Sequence, residues 1–173
     1  MRINLFGGPG VGKSTLAAKV YAALRPQYNI ELVREYIKSW AYAGRAADQF
    51  ENIYIFSKQL AREHAFLKYG QHIVSDSPLV LNCIYSSMAN SVIGPALHTL
   101  ACEYEREYPS LNFLIERTVP YKQEGRYQKE EETRALDAKI KGYLYSWGVL
   151  YYPIEVQEFD FVIHEIKYRL GAL

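Results

Sequence analysis

The stretch Gly7-Gly8-Pro9-Gly10-Val11-Gly12-Lys13-Ser14-Thr15 follows directly on the apolar run Ile3-Asn4-Leu5-Phe6. Its spacing satisfies G-x-x-x-x-G-K-[ST] through Gly7, Gly12, Lys13 and Ser14, between a strand-like and a helix-like segment. Glycines at this density let the backbone curl until successive N–H groups point inward, as a bound polyphosphate requires. Gly8, Gly10, Val11 and Gly12 are expected to form that cradle. Lys13 is expected to neutralise the β- and γ-oxygens and the Ser14 hydroxyl to ligand Mg²⁺. Thr15 stands one residue further on, in reach of an α-phosphate, and the helix opening at Lys13 adds its positive dipole end. A glycine turn that only joins a strand to a helix has no need of the Lys-Ser pair. The stretch therefore implies a bound nucleoside triphosphate with Mg²⁺, and leaves open whether its γ-phosphate goes to water, to a protein movement or to an acceptor hydroxyl.

Outward from the loop, strand and helix signals alternate. Arg2 to Phe6 reads as a buried strand. Leu16, Ala17, Val20, Tyr21 and Leu24 predict a helix over Lys13–Leu24, stopped by Pro26. Ile30–Val33 reads as a second strand. Phe50, Ile53, Phe56, Leu60 and Leu67 mark an amphipathic helix from Asp48 to Tyr69. His72–Ser75 is a third strand, ended by Asp76-Ser77-Pro78, since Pro78 has no N–H for a ladder. Leu79 to Pro109 is predicted mostly helical with a break at Gly94-Pro95. Leu111–Ile115 is a fourth strand, Arg117–Gln128 a polar loop, Lys129–Trp147 a helix, Val149–Val156 a strand interrupted by Pro153, and Glu158–Leu170 a closing helix. This order predicts an α/β three-layer fold, a mostly five-stranded parallel sheet with helices on both faces.

The chain has 173 residues, and 1–173 is expected to form a single domain. A composition of 49% hydrophobic and 23% charged residues belongs to globular rather than disordered proteins. No apolar run approaches the roughly 18–20 residues of a membrane span, and the N-terminus lacks a signal-peptide pattern. Cys83 and Cys102 are expected as buried thiols, because two cysteines with no neighbouring ligands make neither a disulfide framework nor a zinc site. These features lead to the expectation of a cytoplasmic protein without a membrane partner. A net charge of +1 argues neither for nor against nucleic acid. The 16 tyrosines suit packing with a wet hydroxyl, and equally a stacking surface for bases. Oligomeric state has no sequence signal.

Guanine-reading N-K-x-D is absent from the sequence, and Asp76 is followed by Ser77 rather than a second carboxylate that would activate water. A phosphotransferase needs other parts: a carboxylate for the acceptor hydroxyl, one for magnesium, and arginines over the transferring phosphoryl group. Glu35 and Asp76 follow the second and third strands, whose ends open beside the glycine loop in a parallel sheet. Each has a plainer reading, Glu35 as a surface residue or an ion pair with Arg34, Asp76 as a helix cap. In "ERTVPYKQEGRYQKEEETR", Arg117, Arg126 and Arg134 are candidates to cover the phosphates, and 117–134 reads as a lid around Pro120 and Gly125. An ordinary solvated loop and helix start fits the same residues.

"GGPGVGKST", "REY" at Arg34–Tyr36, "SKQLARE", "IVSDSPL" and the lid stretch together resemble the small P-loop kinases of nucleosides and nucleotides, including the nicotinamide-mononucleotide type. Within that group the chain looks most similar to bacteriophage kinases of 5-hydroxymethyluracil in DNA. The resemblance covers residues 2 to about 142. It implies an ATP- and Mg²⁺-dependent enzyme that phosphorylates the hydroxymethyl group of the modified base in DNA. It further implies Glu35 or Asp76 beside the acceptor hydroxyl, Arg126 on the phosphates, and Gln59 reading a pyrimidine edge next to Arg34, Glu35 and Tyr36. Simpler nucleoside kinases carry Asp-Arg-Ser where this chain has Asp76-Ser77-Pro78, so Arg117 or Arg34 would replace that arginine. DNA contacts are expected from Lys38, Arg45, Lys58, Arg62 and Lys68, with Tyr36, Trp40 and Tyr42 to stack on a displaced base. A free nucleotide or nicotinamide mononucleotide as acceptor stays open, as does an ATP-binding regulator that hydrolyses slowly.

Overall fold

A computed structural model describes residues 1–118 and 130–171, with the backbone alone for Ala41, Glu130 and Glu131. The elements run β1 (Arg2–Phe6), α1 (Lys13–Leu24), β2 (Ile30–Val33), α2 (Lys38–Tyr42), α3 (Glu51–Leu67), β3 (His72–Ser75), α4 (Leu79–Ala89), α5 (Ile93–Glu107), β4 (Ser110–Glu116), α6 (Glu130–Ser146), β5 (Tyr152–Glu155) and α7 (Phe159–Gly171). The five strands form one parallel sheet in the order β2-β3-β1-β4-β5. β1 is central and wholly buried, which is why its side chains give no polar-apolar alternation. The expected α/β fold with helices on both faces is the fold observed.

Alternate side chains leave opposite faces of each strand and seed two cores. Ile3, Leu5, Phe113 and Ile115 pack with Leu16, Val20 and Leu24 of α1 and with Val162 and Ile166 of α7. Phe6 and Leu114 point the other way, to Leu81 and Ile84 of α4 and Ile140 and Leu144 of α6. Phe56 of α3 joins Leu79, Cys83, Leu97 and Ala101 in a further cluster. Each such side chain contributes about 1.5–3 kcal/mol when fully buried.

Departures from the predicted boundaries have local causes. The break between α4 and α5 falls at Asn90–Val92, where the Asn90 Oδ1 accepts from the Val92 and Ile93 N–H groups. Gly94-Pro95 instead lies in the first turn of α5, where a proline's missing N–H costs nothing. A Cβ on Gly94 would stand 1.9 Å from Ser87 Oγ and 2.4 Å from its Cα, so glycine is there for the close crossing of α4 and α5. Pro153 is tolerated because β5 is an edge strand. Phe50 and Ile53, expected on the apolar face of α3, are 64% and 45% exposed. The buried face carries Ile55, Phe56, Gln59, Glu63 and Leu67, two polar residues among apolar ones.

Those polar residues have partners. Arg2, in the central strand, reaches Glu63 at 3.5 Å and also pairs with Glu105, while its Nε donates to the Tyr108 carbonyl at 2.7 Å. Burial is the main force that pushes the Glu63 carboxyl up to about 7, against the opposing pull of Arg2. Cys83 is buried as expected, with its thiol pushed up by burial; Cys102 is only half-buried and lies 3.6 Å from His98 Nε2. Among the described residues no helix is long and apolar enough to cross a membrane.

Candidate active site

The C-terminal ends of all five strands converge on one edge, and β1 delivers the glycine loop to its middle. Gly7, Gly10 and Gly12 have φ of 138°, 82° and 100°, values that L side chains rarely adopt, so the curl of the loop needs these glycines. Gly12 also lies under the end of β5, where a Cβ would come within 2.6 Å of Val156 Cγ2. Val11 is buried in the core and anchors the loop, while Ser14 and Thr15 open α1 with exposed hydroxyls. The Lys13 ammonium donates to the Gly7 and Gly8 carbonyls at 2.6 and 2.8 Å. Burial pushes it down to about 8, although the charges of Glu35, Asp76 and Asp137 pull in the opposite direction.

Glu35 and Asp76 meet across the ends of β2 and β3. The Glu35 N–H donates to Asp76 Oδ1 at 2.9 Å, and Asp76 is 3% exposed. Burial raises the Glu35 carboxyl above its ordinary value; Asp76 adds to that rise, and Lys13 and Lys38 oppose it. Glu35 is half-buried. No ion pair joins Glu35 to Arg34 among the described residues, and the α4 N-cap is Pro78, not Asp76. Arg34 is exposed, and its carbonyl accepts from Arg62 at 3.2 Å.

Ser14, Thr15 and Asp76 line one cleft of about 530 Å³ with Lys19, Arg34 and Lys38. A hydroxyl and a carboxylate in one cleft beside a phosphate loop are the hard oxygen donors that Mg²⁺ takes, so the residues present fit the ion. Gln59 is not a surface glutamine: it is 1% exposed, and its Oε1 accepts the Tyr36 N–H at 3.0 Å. The helical face that buries Phe56 and Leu67 buries Gln59 with them; its Oε1 sets Tyr36, while its Nε2 has no hydrogen-bond partner among the described residues. Tyr36 leads into an aromatic group with Trp40 and Tyr54, in which Trp40 and Tyr54 lie nearly parallel at 6.3 Å. Arg62, Arg45 and Lys58 lie over Tyr36, Trp40 and Tyr54 respectively. Arg45 is also paired with Glu51, which spends its charge locally.

Two residues escape a reading of the sequence. Asp137 of α6 accepts the Gly8 N–H at 3.0 Å and binds Arg117 through Nε at 2.6 Å and Nη2 at 3.2 Å. Its only sequence signal is that it follows the predicted lid on a helix. Tyr85 of α4 is half-buried, and burial and then the charges of Glu35 and Asp137 push its phenol up. Arg117 stands at the loop as expected, with Nη2 on the Pro9 carbonyl at 2.9 Å. Arg134 is exposed and lines a smaller cleft of about 220 Å³ with Arg117 and Asp137. Arg126 and most of the expected lid lie outside the described residues.

The model of the AAA domain family AAA_28 matches residues 2–159, from β1 to the start of α7. The chain belongs to this family. Among solved structures, this AAA-domain chain is similar to a NadR protein in complex with NR, at a TM-score of 0.71 and 14% identity over 95% of its own length. It spans about half of that NadR chain, 50%. A deoxyadenosine kinase from M. mycoides is matched at a TM-score of 0.59 and 18% identity over 100% of both chains. A thymidylate kinase from Ehrlichia chaffeensis is matched at 0.68 and 15% identity over 99% of this chain and 98% of that one. At these identities the likeness is one of fold. The resemblance to small P-loop kinases is thus met at the level of the fold and of the nucleotide-binding family.

Proposed function

We propose that this AAA-domain protein is a Mg²⁺- and ATP-dependent phosphotransferase that moves the γ-phosphate to an acceptor hydroxyl. One observation carries the reading: the Glu35 backbone N–H donates to the Asp76 carboxylate, which ties the two strand ends together, and the charges of both residues favour the protonated form of Lys13 in the phosphate loop. A water-activating ATPase would be served by a carboxylate after Asp76, where Ser77 stands. A raised carboxyl such as that of Glu35 suits a base, because its proton affinity lies closer to working pH. In this scheme Glu35 takes the acceptor's proton, the acceptor oxygen bonds to the γ-phosphorus, the bond to the β-phosphate oxygen breaks, and ADP leaves. Lys13 and Arg117 hold the charge that develops on the phosphates. The Ser14 hydroxyl and Asp76 would hold Mg²⁺, which when bound would supply neutralising charge to the phosphates. Arg126, and a segment at 117–134 that covers the phosphates, complete the scheme on the strength of the sequence.

For the acceptor, the favoured substrate is the 5-hydroxymethyl group of 5-hydroxymethyluracil in DNA. The aromatic and cationic surface of Tyr36, Trp40, Tyr54, Lys58 and Arg62 supports it, since rings beside cations suit an unstacked base and its backbone. Gln59 then acts on the acceptor through Tyr36, whose backbone it holds. The second reading is a free nucleoside or nucleotide, or a nicotinamide nucleotide. It is favoured by the fold shared with NadR, which was solved with NR, and with a deoxyadenosine kinase and a thymidylate kinase.

The deciding measurement is ADP release from Mg-ATP over a panel of acceptors. The panel holds duplex DNA with and without 5-hydroxymethyluracil, deoxynucleoside monophosphates, nicotinamide mononucleotide, and a tube with no acceptor. The expected result is release that depends on modified DNA, with γ-label retained in the polymer. Release with a free nucleotide alone would replace the DNA reading by the second one. Equal release in every tube would assign the phosphate to water and make the protein a regulatory NTPase.

A further inference from the structure

The residue pair Arg117–Asp137 is bonded to the phosphate loop at two points. Arg117 directly follows β4 and its side chain is 5% exposed; Asp137 stands on α6 and its side chain is 25% exposed. The carboxylate accepts from the loop itself, from the Gly8 N–H at 3.0 Å, and from two nitrogens of the guanidinium. The guanidinium closes the circuit by donating Nη2 to the Pro9 carbonyl at 2.9 Å. One carboxylate and one guanidinium therefore hold a loop N–H and a loop carbonyl on consecutive residues. The fit leaves no slack: a Cβ on Gly8 would lie 2.2 Å from Asp137 Oδ1 and 3.4 Å from Arg117 Nη2.

The electrostatic consequence reaches Lys13, which feels both partners. Arg117 works against its protonated form, and Asp137 works for it. The charge of Asp137 thus offsets the repulsion that Arg117 exerts on Lys13. We infer that Asp137 is a positioning residue: it acts through Arg117, fixing the guanidinium on the loop and letting two cations stand at one phosphate site. The inference needs only that the loop binds a nucleotide, the part of the proposed function that does not depend on an acceptor. Bidentate arginine–carboxylate pairs are suited to such a task because their planar geometry fixes orientation as well as charge.

The test is calorimetric titration of ADP into the full chain and into D137N, R117Q and the double variant. Urea unfolding of each shows that it is folded. D137N is expected to weaken ADP about tenfold, the size of one lost hydrogen bond to a charged group. The double variant is expected to lose well short of the product of the two single losses, because Asp137 works through Arg117. A residue that only stabilised the fold would show no such coupling to Arg117. Should D137N not fold, D137E replaces it; its displaced carboxylate is expected to give a smaller loss, again not multiplicative with R117Q. Losses that multiply fully, or D137N binding as the parent does, overturn the inference while leaving nucleotide binding intact. A parent chain that binds no ADP removes the nucleotide reading and this inference together.

Discussion

The backbone N–H of Glu35 donates to Asp76 Oδ1 at 2.9 Å, across 41 residues of sequence. This bond ties the end of β2 to the end of β3 and sets the two carboxylates at one place. Replacing Glu35 by Gln keeps the backbone N–H, and so the bond, while removing the base. Steady-state rates for E35Q are expected to fall by about 10²–10⁴, the usual contribution of a general base. ATP affinity should be unchanged. D76N is expected to lose rate and, in addition, Mg²⁺ dependence. A rate for E35Q equal to that of the parent would remove Glu35 from the chemistry.

Lys13 gives a pH dependence of binding whose sign is fixed. Burial holds its ammonium down at about 8, and phosphate oxygens bound next to it favour the charged form, raising the value in the complex. Below that value Lys13 is charged in both states and binding takes up no proton. Above about 8 the free protein has lost the proton, so binding recovers it and ATP affinity declines with rising pH. Calorimetry in buffers of different ionisation enthalpy should record proton uptake that vanishes in K13M. K13M should itself bind ATP at least tenfold more weakly, since hydrogen bonds to charged groups carry about 1.5–3 kcal/mol.

Glu63 makes stability pH-dependent in the opposite direction to an ordinary salt-bridged carboxylate. Its folded value is raised from 4.5 to about 7, so the folded state binds the extra proton in that window. The stability from that proton is fully present below about 4.5 and is lost as pH rises through about 7. Urea midpoints measured across this range should fall for the parent and fall less for E63Q. An identical slope in both would take Glu63 out of the linkage.

Gly94 tests the α4–α5 crossing. The Cβ of G94A would collide with the Ser87 backbone as well as its hydroxyl, so a rotamer change cannot relieve it. The helices must move apart, which costs about 1–3 kcal/mol. The urea midpoint of G94A is expected to fall accordingly, with ATP binding kept. A midpoint unchanged from the parent would show that the crossing is looser than it stands here.

The phosphate loop was legible because it is local. Its glycine spacing, the strand before it and the helix after it all fall within Arg2 to Leu24, where short-range backbone preferences decide. The alternation of strand and helix likewise carried the sheet class, and the strand ends carried Glu35 and Asp76 to the right edge. Periodicity failed on α3. Phe50 and Ile53 fit the spacing yet lie beyond the core, while Gln59 and Glu63 are buried because Tyr36 and Arg2 supply their partners. It failed again at Gly94-Pro95, since a proline in the first turn of a helix looks in sequence like a break before it.

The sequence by itself thus determined a nucleotide-binding loop in a parallel α/β sheet, with two carboxylates at neighbouring strand ends. Only the tertiary structure decided that the Glu35 backbone N–H is bonded to the Asp76 carboxylate, and that Asp137, 129 residues from Gly8, holds the loop together with Arg117. The reason is physical. Backbone propensities act over a few residues, whereas a contact between distant residues exists only once the sheet has closed and its helices have packed.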